Sequence, residues 1–337
     1  MSGRDKLKAL GIDLPPLPIT AVGSYGKPED LTKARTRFAR GDITREQLKV
    51  IEEEATAMWM GFQNEIGVDV PVDGEMYRGD MVAFFAEEMD GFSEGGLVRS
   101  YGNRFYRKPI ITSEIRWRRP MTVDWWRFSQ SLTEAPVKGM LTGGYTVMDW
   151  SFNEHYPDRK AAAIAFATEL RKEVEALIEA GCKIVQIDEP ALSVRANEIP
   201  IAVEAMETTI GGLDAYFITH ACYGSFESVF PGMYDLPVDN FDLTTENYGI
   251  QLVKMHADSG GGRDISYGVV DPHSHAIEPA EEVERRIREA LELIDADALW
   301  VDPDCGLKTR TVAESQDKMR VIAQATKAVR AELRSRV

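Results

Sequence analysis

Residues Arg159–Leu192, RKAAAIAFATELRKEVEALIEAGCKIVQIDEPAL, hold one complete unit of the pattern from which the fold is read. From Arg159 to Ala180 the apolar residues recur at helical spacing, and Lys183 to Ile187 is a short apolar run of strand length that ends on two carboxylates, Asp188 and Glu189. Working outward, seven more apolar segments of strand length stand around Ile19–Gly23, Val68–Val72, Val137–Leu141, Ala215–Thr219, Phe241–Thr245, Ile265–Val270 and Ala298–Val301. Most are followed by helical periodicity, as in Ala280–Ile294 and Val312–Arg334. Eight such βα units predict an α/β fold, a (β/α)8 TIM barrel formed as a single domain over residues 1–337. The stretch from about Gly91 to Pro120 breaks the rhythm with alternating aromatic and arginine residues, and it predicts an inserted hairpin or lid.

Composition narrows the class of function. A formal charge of −16 repels nucleic-acid phosphates and anionic membrane surfaces, and no apolar run reaches the length of a membrane span, so neither partner is expected. Three cysteines, Cys182, Cys222 and Cys305, are too few and too far apart for a disulfide framework, which predicts a reducing, cytoplasmic setting. Two phosphate-loop look-alikes are set aside. GSYGKP at Gly23–Pro28 lacks the glycine spacing and the hydroxyl after lysine, and Gly260–Gly262 is a bare turn signal.

In a parallel barrel the chemistry gathers at the carboxyl ends of the strands. Those ends here carry Ser24, then Asp73 and Glu75, Asp188 and Glu189, His220 and Cys222, Glu246, Asp271 and His273, and Asp304 and Cys305. In an extended backbone alternate side chains point the same way, so His220 and Cys222 can reach one ion. Cys305 would add a second thiolate and Glu246 an oxygen, completing a four-coordinate zinc site. The competing reading makes the cysteines small buried hydrophobes and His220 a core histidine; their common place at strand ends argues for metal. Two thiolates and a carboxylate leave such a site near −1, which suits a sulfur nucleophile better than metal-activated water. Cys182 precedes its strand, at the opposite end, and is read as structural.

The strings DGEMYRGDMV, VKGMLTGGYTVMDWSF, IVQIDEPAL, THACY and LWVDPDCGLKTR, in this order between about Ile19 and Arg310, resemble the catalytic C-terminal domain of cobalamin-independent methionine synthase. The resemblance implies a zinc-containing (β/α)8 barrel that methylates homocysteine, with His220, Cys222, Glu246 and Cys305 as zinc ligands. It also implies that Ser24, Glu75 and Asp188, with backbone contacts from Val22 and Gly23, hold the amino-acid end of homocysteine. His273 matches the family's proton donor toward the departing methyl carrier. On the donor side Arg104 and Trp150 match, but Phe105 stands where the family has the cysteine of an Arg-Cys pair, and Val194 where it has a pterin-binding glutamate. A carboxylate lost to valine removes a polar partner that a pterin needs. The sequence therefore resembles the short, core-type methionine synthases, which implies methylcobalamin or a methylated corrinoid protein as donor. Alternatives are methyltetrahydrofolate as donor, an alkyltransferase acting on another thiol such as coenzyme M, and a non-catalytic zinc- or thiol-binding docking module. Glu75 and Asp188 suit an ammonium rather than the sulfonate of coenzyme M.

Overall fold

The computed structural model describes residues 2–99, 105–222, 224, 226–245, 249–259 and 262–335. They gather into two compact units interleaved along the chain, one from residues 1–77, 125–138 and 240–337, the other from 78–124 and 139–239.

The second unit is built on parallel strands Gly139–Thr142, Ile184–Asp188 and Tyr216–Ala221. Their register sets Thr142 against Asp188 and Asp188 against His220, so the polar strand ends share one edge. Every residue of the latter two strands is buried, which is why each opens on an apolar run and shows no strict alternation: a parallel strand covered on both faces has no solvent face to alternate toward. The helix Arg159–Glu179 begins at Asp158, whose carboxylate accepts the Ala161 N–H, and it buries Phe166, Leu170, Val174 and Leu177 along one stripe.

The predicted insert is an antiparallel element. Met89–Ser93 pairs with Ile110–Trp117, and Leu97–Arg99 with Phe105–Arg107. The outer pair carries a bulge between Asp90 and Phe92, where Gly91 adopts φ +98° and a Cβ would come within 2.7 Å of the Glu114 carbonyl oxygen. The insert is tied down by Glu173, fully buried in the long helix. Its carboxylate accepts the indole N–H of Trp117 at 2.8 Å, the N–H groups of Met121 and Thr122, and the Thr122 hydroxyl. Replacement by alanine orphans these donors, so Glu173→Ala is expected to lower the free energy of unfolding by about 3 kcal/mol. Urea denaturation reads this directly; a loss within about 0.5 kcal/mol, the range of ordinary surface changes, would refute the anchor.

The first unit contains parallel strands Asn240–Leu243, Asp264–Gly268 and Leu299–Asp302. Here the sequence reading needs correction: the expected strands at Ile19–Gly23 and Val68–Val72 are reduced to isolated bridges, Ile19 with Val301, Thr20 with Val70 and Ser24 with Gly74. The Ile19 N–H is taken by the Asp69 carboxylate at 2.8 Å, and Pro71 has no N–H to offer a ladder. The other six expected segments are ladder strands. Helix Arg45–Ile66 starts with a capping box in which the Thr44 hydroxyl accepts the Gln47 N–H and the Gln47 amide oxygen accepts the Thr44 N–H, and it stops at Gly67 with φ +75°. Among the described residues no helix is long and apolar enough to cross a membrane.

Candidate active site

Strand Tyr216–Ala221 carries His220 and runs directly into Cys222. Thr219 turns to the opposite side from its neighbours and its hydroxyl donates to the Ile187 carbonyl at 2.8 Å, leaving His220 and Cys222 on alternate positions at the strand end. The backbone there is braced by the next polar strand end. The Glu189 N–H donates to the His220 carbonyl at 2.8 Å, and the Ser193 hydroxyl donates to the Cys222 carbonyl at 2.6 Å. Both side chains are buried.

Cys305 follows strand Leu299–Asp302 in the turn DPDCG. Asp304 fixes this turn, its carboxylate accepting the Thr245 N–H and, at 2.6 Å, the Thr245 hydroxyl, while its carbonyl accepts the Thr244 hydroxyl at 2.9 Å. Among the described residues one group of side chains can hold a metal: an imidazole nitrogen of His220 and the sulfurs of Cys222 and Cys305, all within 4.8 Å of one another. One imidazole and two thiolates are a donor set that zinc accepts, with a further position left in its tetrahedral shell. Glu246, the fourth ligand expected from the sequence, lies outside the described residues, as does Arg104.

The carboxylate pair Asp188–Glu189 splits into two roles. The Gln186 amide donates to the Asp188 carboxylate at 2.7 Å from the same strand face. Glu189 turns inward instead, accepting the Tyr145 N–H at 3.1 Å and both the N–H and the hydroxyl of Thr146 at 2.7 Å. Full burial pushes its carboxyl up to about 7, opposed by these three donors. An inward-turned, fully bonded carboxylate is a brace, and nothing in the string IDEP distinguished it from its neighbour.

Ser24 and Glu75 belong to the first unit. Ser24 bridges to Gly74, and its carbonyl accepts the Leu307 N–H at 2.8 Å. Val22 and Gly23 are buried just before it. Gly74 and Glu75 both lie in the left-handed region, with φ +75° and +58°. For glycine this is free, but a residue with a Cβ is disfavoured there by about 1–2 kcal/mol, a strain that accumulates at functional sites. The Asp73 carboxylate holds the turn by accepting the Glu75 N–H at 2.8 Å and the Tyr77 hydroxyl at 3.0 Å. Gly306, next to Cys305, packs against Ser24 so closely that an added Cβ would collide with the Ser24 hydroxyl oxygen. If Ser24 takes the role that the sequence resemblance implies for it, Gly306→Ala is expected to weaken methionine binding about tenfold, as one misplaced hydrogen bond would. An unchanged affinity for methionine by calorimetry would show that the Ser24 hydroxyl takes no part.

His273 is exposed, and its N–H donates to the Asp271 carboxylate at 2.7 Å. Trp150 is half-buried with the Tyr106 ring 6.2 Å away. Phe105 and Val194 present 64% and 52% of their surface to solvent, so neither apolar side chain is consumed by packing. Cys182 is fully buried, its thiol pushed up to about 12 and its sulfur hydrogen-bonded to the Ile184 carbonyl, in keeping with a structural role.

Residues 17–328 match the family described as cobalamin-independent synthase, catalytic domain. The methionine synthase of Sulfurisphaera tokodaii is 37% identical over 96% of each chain, and that of Saccharolobus solfataricus 36% identical over 95% of this chain and 97% of its own. A B12-independent methionine synthase from Shewanella sp. W3-18-1, solved in complex with selenomethionine, superposes with a TM-score of 0.84 at 25% identity, over 95% of this chain and 99% of the other. A protein from Listeria monocytogenes described as a vitamin-B12-independent methionine synthase shares the fold at 21% identity and a TM-score of 0.77, over 94% of this chain and 99% of its own. The α/β fold of TIM-barrel type expected from the strand rhythm is the fold of these structures.

Proposed function

Because the chain belongs to the cobalamin-independent methionine synthase family, we propose that it is a methyltransferase that makes methionine by methylating the sulfur of homocysteine. The observation that carries this reading is the His220, Cys222 and Cys305 group, a sulfur-rich donor set suited to thiol chemistry. When bound there, zinc supplies the Lewis acidity that keeps a substrate thiol ionised at neutral pH. We assign Glu246 as a further ligand on the sequence motif.

The remaining steps belong to the chain itself. Glu75 and Asp188 receive the substrate ammonium, Ser24 with the Val22–Gly23 backbone receives its carboxylate, and the sulfur is thereby turned toward the donor. The new S–C bond forms as the methyl group leaves its carrier, whose bonding electron pair stays behind. On the sequence motif we assign Trp150 and Arg104 to the carrier side.

For the donor we take methylcobalamin or a methylated corrinoid protein. The support is Val194 and Phe105, exposed apolar side chains at positions where a pterin site calls for polar ones. The family's own description, cobalamin-independent, stands against this choice, and methyltetrahydrofolate is the direct rival. Zinc-loaded protein given homocysteine and each donor in parallel decides: methionine from methylcobalamin alone supports the corrinoid reading, and methionine from the folate overturns it. His273 sharpens the contrast. A departing cobalt(I) keeps its electron pair without a proton, whereas the departing folate nitrogen needs one. His273→Gln is therefore expected to leave turnover with methylcobalamin within about twofold and to lower turnover with the folate about a hundredfold. Three cysteines, too few and too far apart for a disulfide framework, fit a cytoplasmic enzyme.

A further inference from the structure

We propose that Lys27 and Arg35 are positioning residues: together they lock the left-handed Asp73–Met76 turn and thereby present the Glu75 carboxylate to the ammonium of the substrate. The inference rests on the assignment of Glu75 to the homocysteine clamp.

Two consecutive left-handed residues, the second a glutamate, form a turn that does not persist without restraint. Every carbonyl of the turn after Asp73 is held from outside it. The Tyr25 N–H donates to the Gly74 carbonyl at 3.3 Å, the Lys27 ammonium to the Glu75 carbonyl at 2.8 Å and the Arg35 guanidinium to the Met76 carbonyl at 2.7 Å. Two of these three donors are cations, and charge-assisted bonds hold a strained backbone more firmly than neutral ones.

Placing the two cations together is unfavourable in itself. Burial, with Arg35 and Lys308 nearby, pushes the Lys27 ammonium down to about 8, against the pull of Glu75 and Asp73. The neighbourhood is balanced by Glu52 on helix Arg45–Ile66. Its buried carboxylate lies 3.8 Å from Arg35 and 2.9 Å from Arg45, and it also attracts Lys27. A half-buried cation pair directed at two successive carbonyls, beside a buried carboxylate that Arg35 shares with Arg45, is far more than the packing of a surface loop requires. GSYGKP, which has no phosphate-loop spacing, thus acquires a use: Ser24 and Lys27 flank one turn and act on the same substrate-binding edge.

The test is a double-mutant cycle in zinc-loaded full-length protein, reading methionine affinity by calorimetry and KM for homocysteine. Lys27→Met is expected to weaken methionine binding and raise KM roughly ten- to a hundredfold, the worth of a charge-assisted bond, with kcat and zinc content nearly unchanged. Lys27→Arg, which keeps the cation, should recover most of the loss. Glu75→Gln should weaken binding on its own, and Lys27→Met added to it should weaken binding little further, because both act through one carboxylate. Fully additive losses, or wild-type affinity in Lys27→Met while Glu75→Gln is impaired, would overturn the positioning role and leave the clamp standing. Wild-type affinity in Glu75→Gln would instead remove the clamp assignment. Should Lys27→Met fail to fold, Arg35→Gln, whose side chain is partly exposed, reads the same coupling with Glu75.

Discussion

Cys305→Ala is expected to leave the protein folded and nearly devoid of zinc after dialysis, with methionine formation falling in step with the lost metal. The side chain supplies one of two sulfurs in the group with His220 and Cys222, and alanine offers no donor atom. Changes to residues that merely support a ligand cost 10- to 100-fold in metal affinity, so loss of the ligand itself should cost at least about a hundredfold. Cys305→Ser should fall between, since an oxygen donor is harder and less readily ionised than a thiolate. Cys182→Ala is the control: that thiol is buried at the start of its strand, and its loss should leave zinc at one per chain. Metal analysis of the three variants is sufficient, and a Cys305→Ala protein that keeps stoichiometric zinc would sink the ligand assignment.

Glu189→Ala is expected to have the largest effect on stability. Its carboxylate is the common acceptor for the Tyr145 N–H, the Thr146 N–H and the Thr146 hydroxyl, all in the interior. Alanine leaves these donors without an acceptor in a space too enclosed for easy relaxation, at about 3–5 kcal/mol. Glutamine should not rescue it, because the amide presents its own N–H groups to one side of a cluster that offers only donors. The site should suffer as well, since the Glu189 N–H supports the His220 carbonyl and the bonded segment leads into Trp150. Chemical denaturation checks the first expectation and zinc affinity the second. Wild-type stability in both variants would mean that Tyr145 and Thr146 find other acceptors.

The course of the site could be followed in the sequence to different depths. The spacing of two between His220 and Cys222 was legible because it is a local geometric statement on an apolar run, and the run is strand Tyr216–Ala221, after which Cys222 follows. The inserted hairpin was legible for the same reason, its alternation being a period-two pattern, although it begins at Met89 rather than near Gly91. Ile19–Gly23 and Val68–Val72 misled because apolar composition reports burial, not ladder formation. The Asp69 side chain and Pro71 divert the hydrogen bonds that a strand would need. The adjacent carboxylates of Asp188 and Glu189 were legible as a polar strand end but not as two opposed roles, since direction at a strand terminus depends on where the nearest donors lie.

By itself, then, the sequence determined the strand rhythm, the αβ class and the local pairing of an imidazole with a thiol, because each follows from periodicities of a few residues. Only the tertiary structure decided that Glu189 is turned onto Tyr145 and Thr146 while Asp188 is bonded to Gln186, and that Glu75 sits in a left-handed turn held by Lys27 and Arg35. The reason is physical: a backbone period fixes which side of a strand a residue takes, whereas contacts between distant segments, and the strain they sustain, exist only once the hydrogen-bonding groups of the whole chain have found their partners.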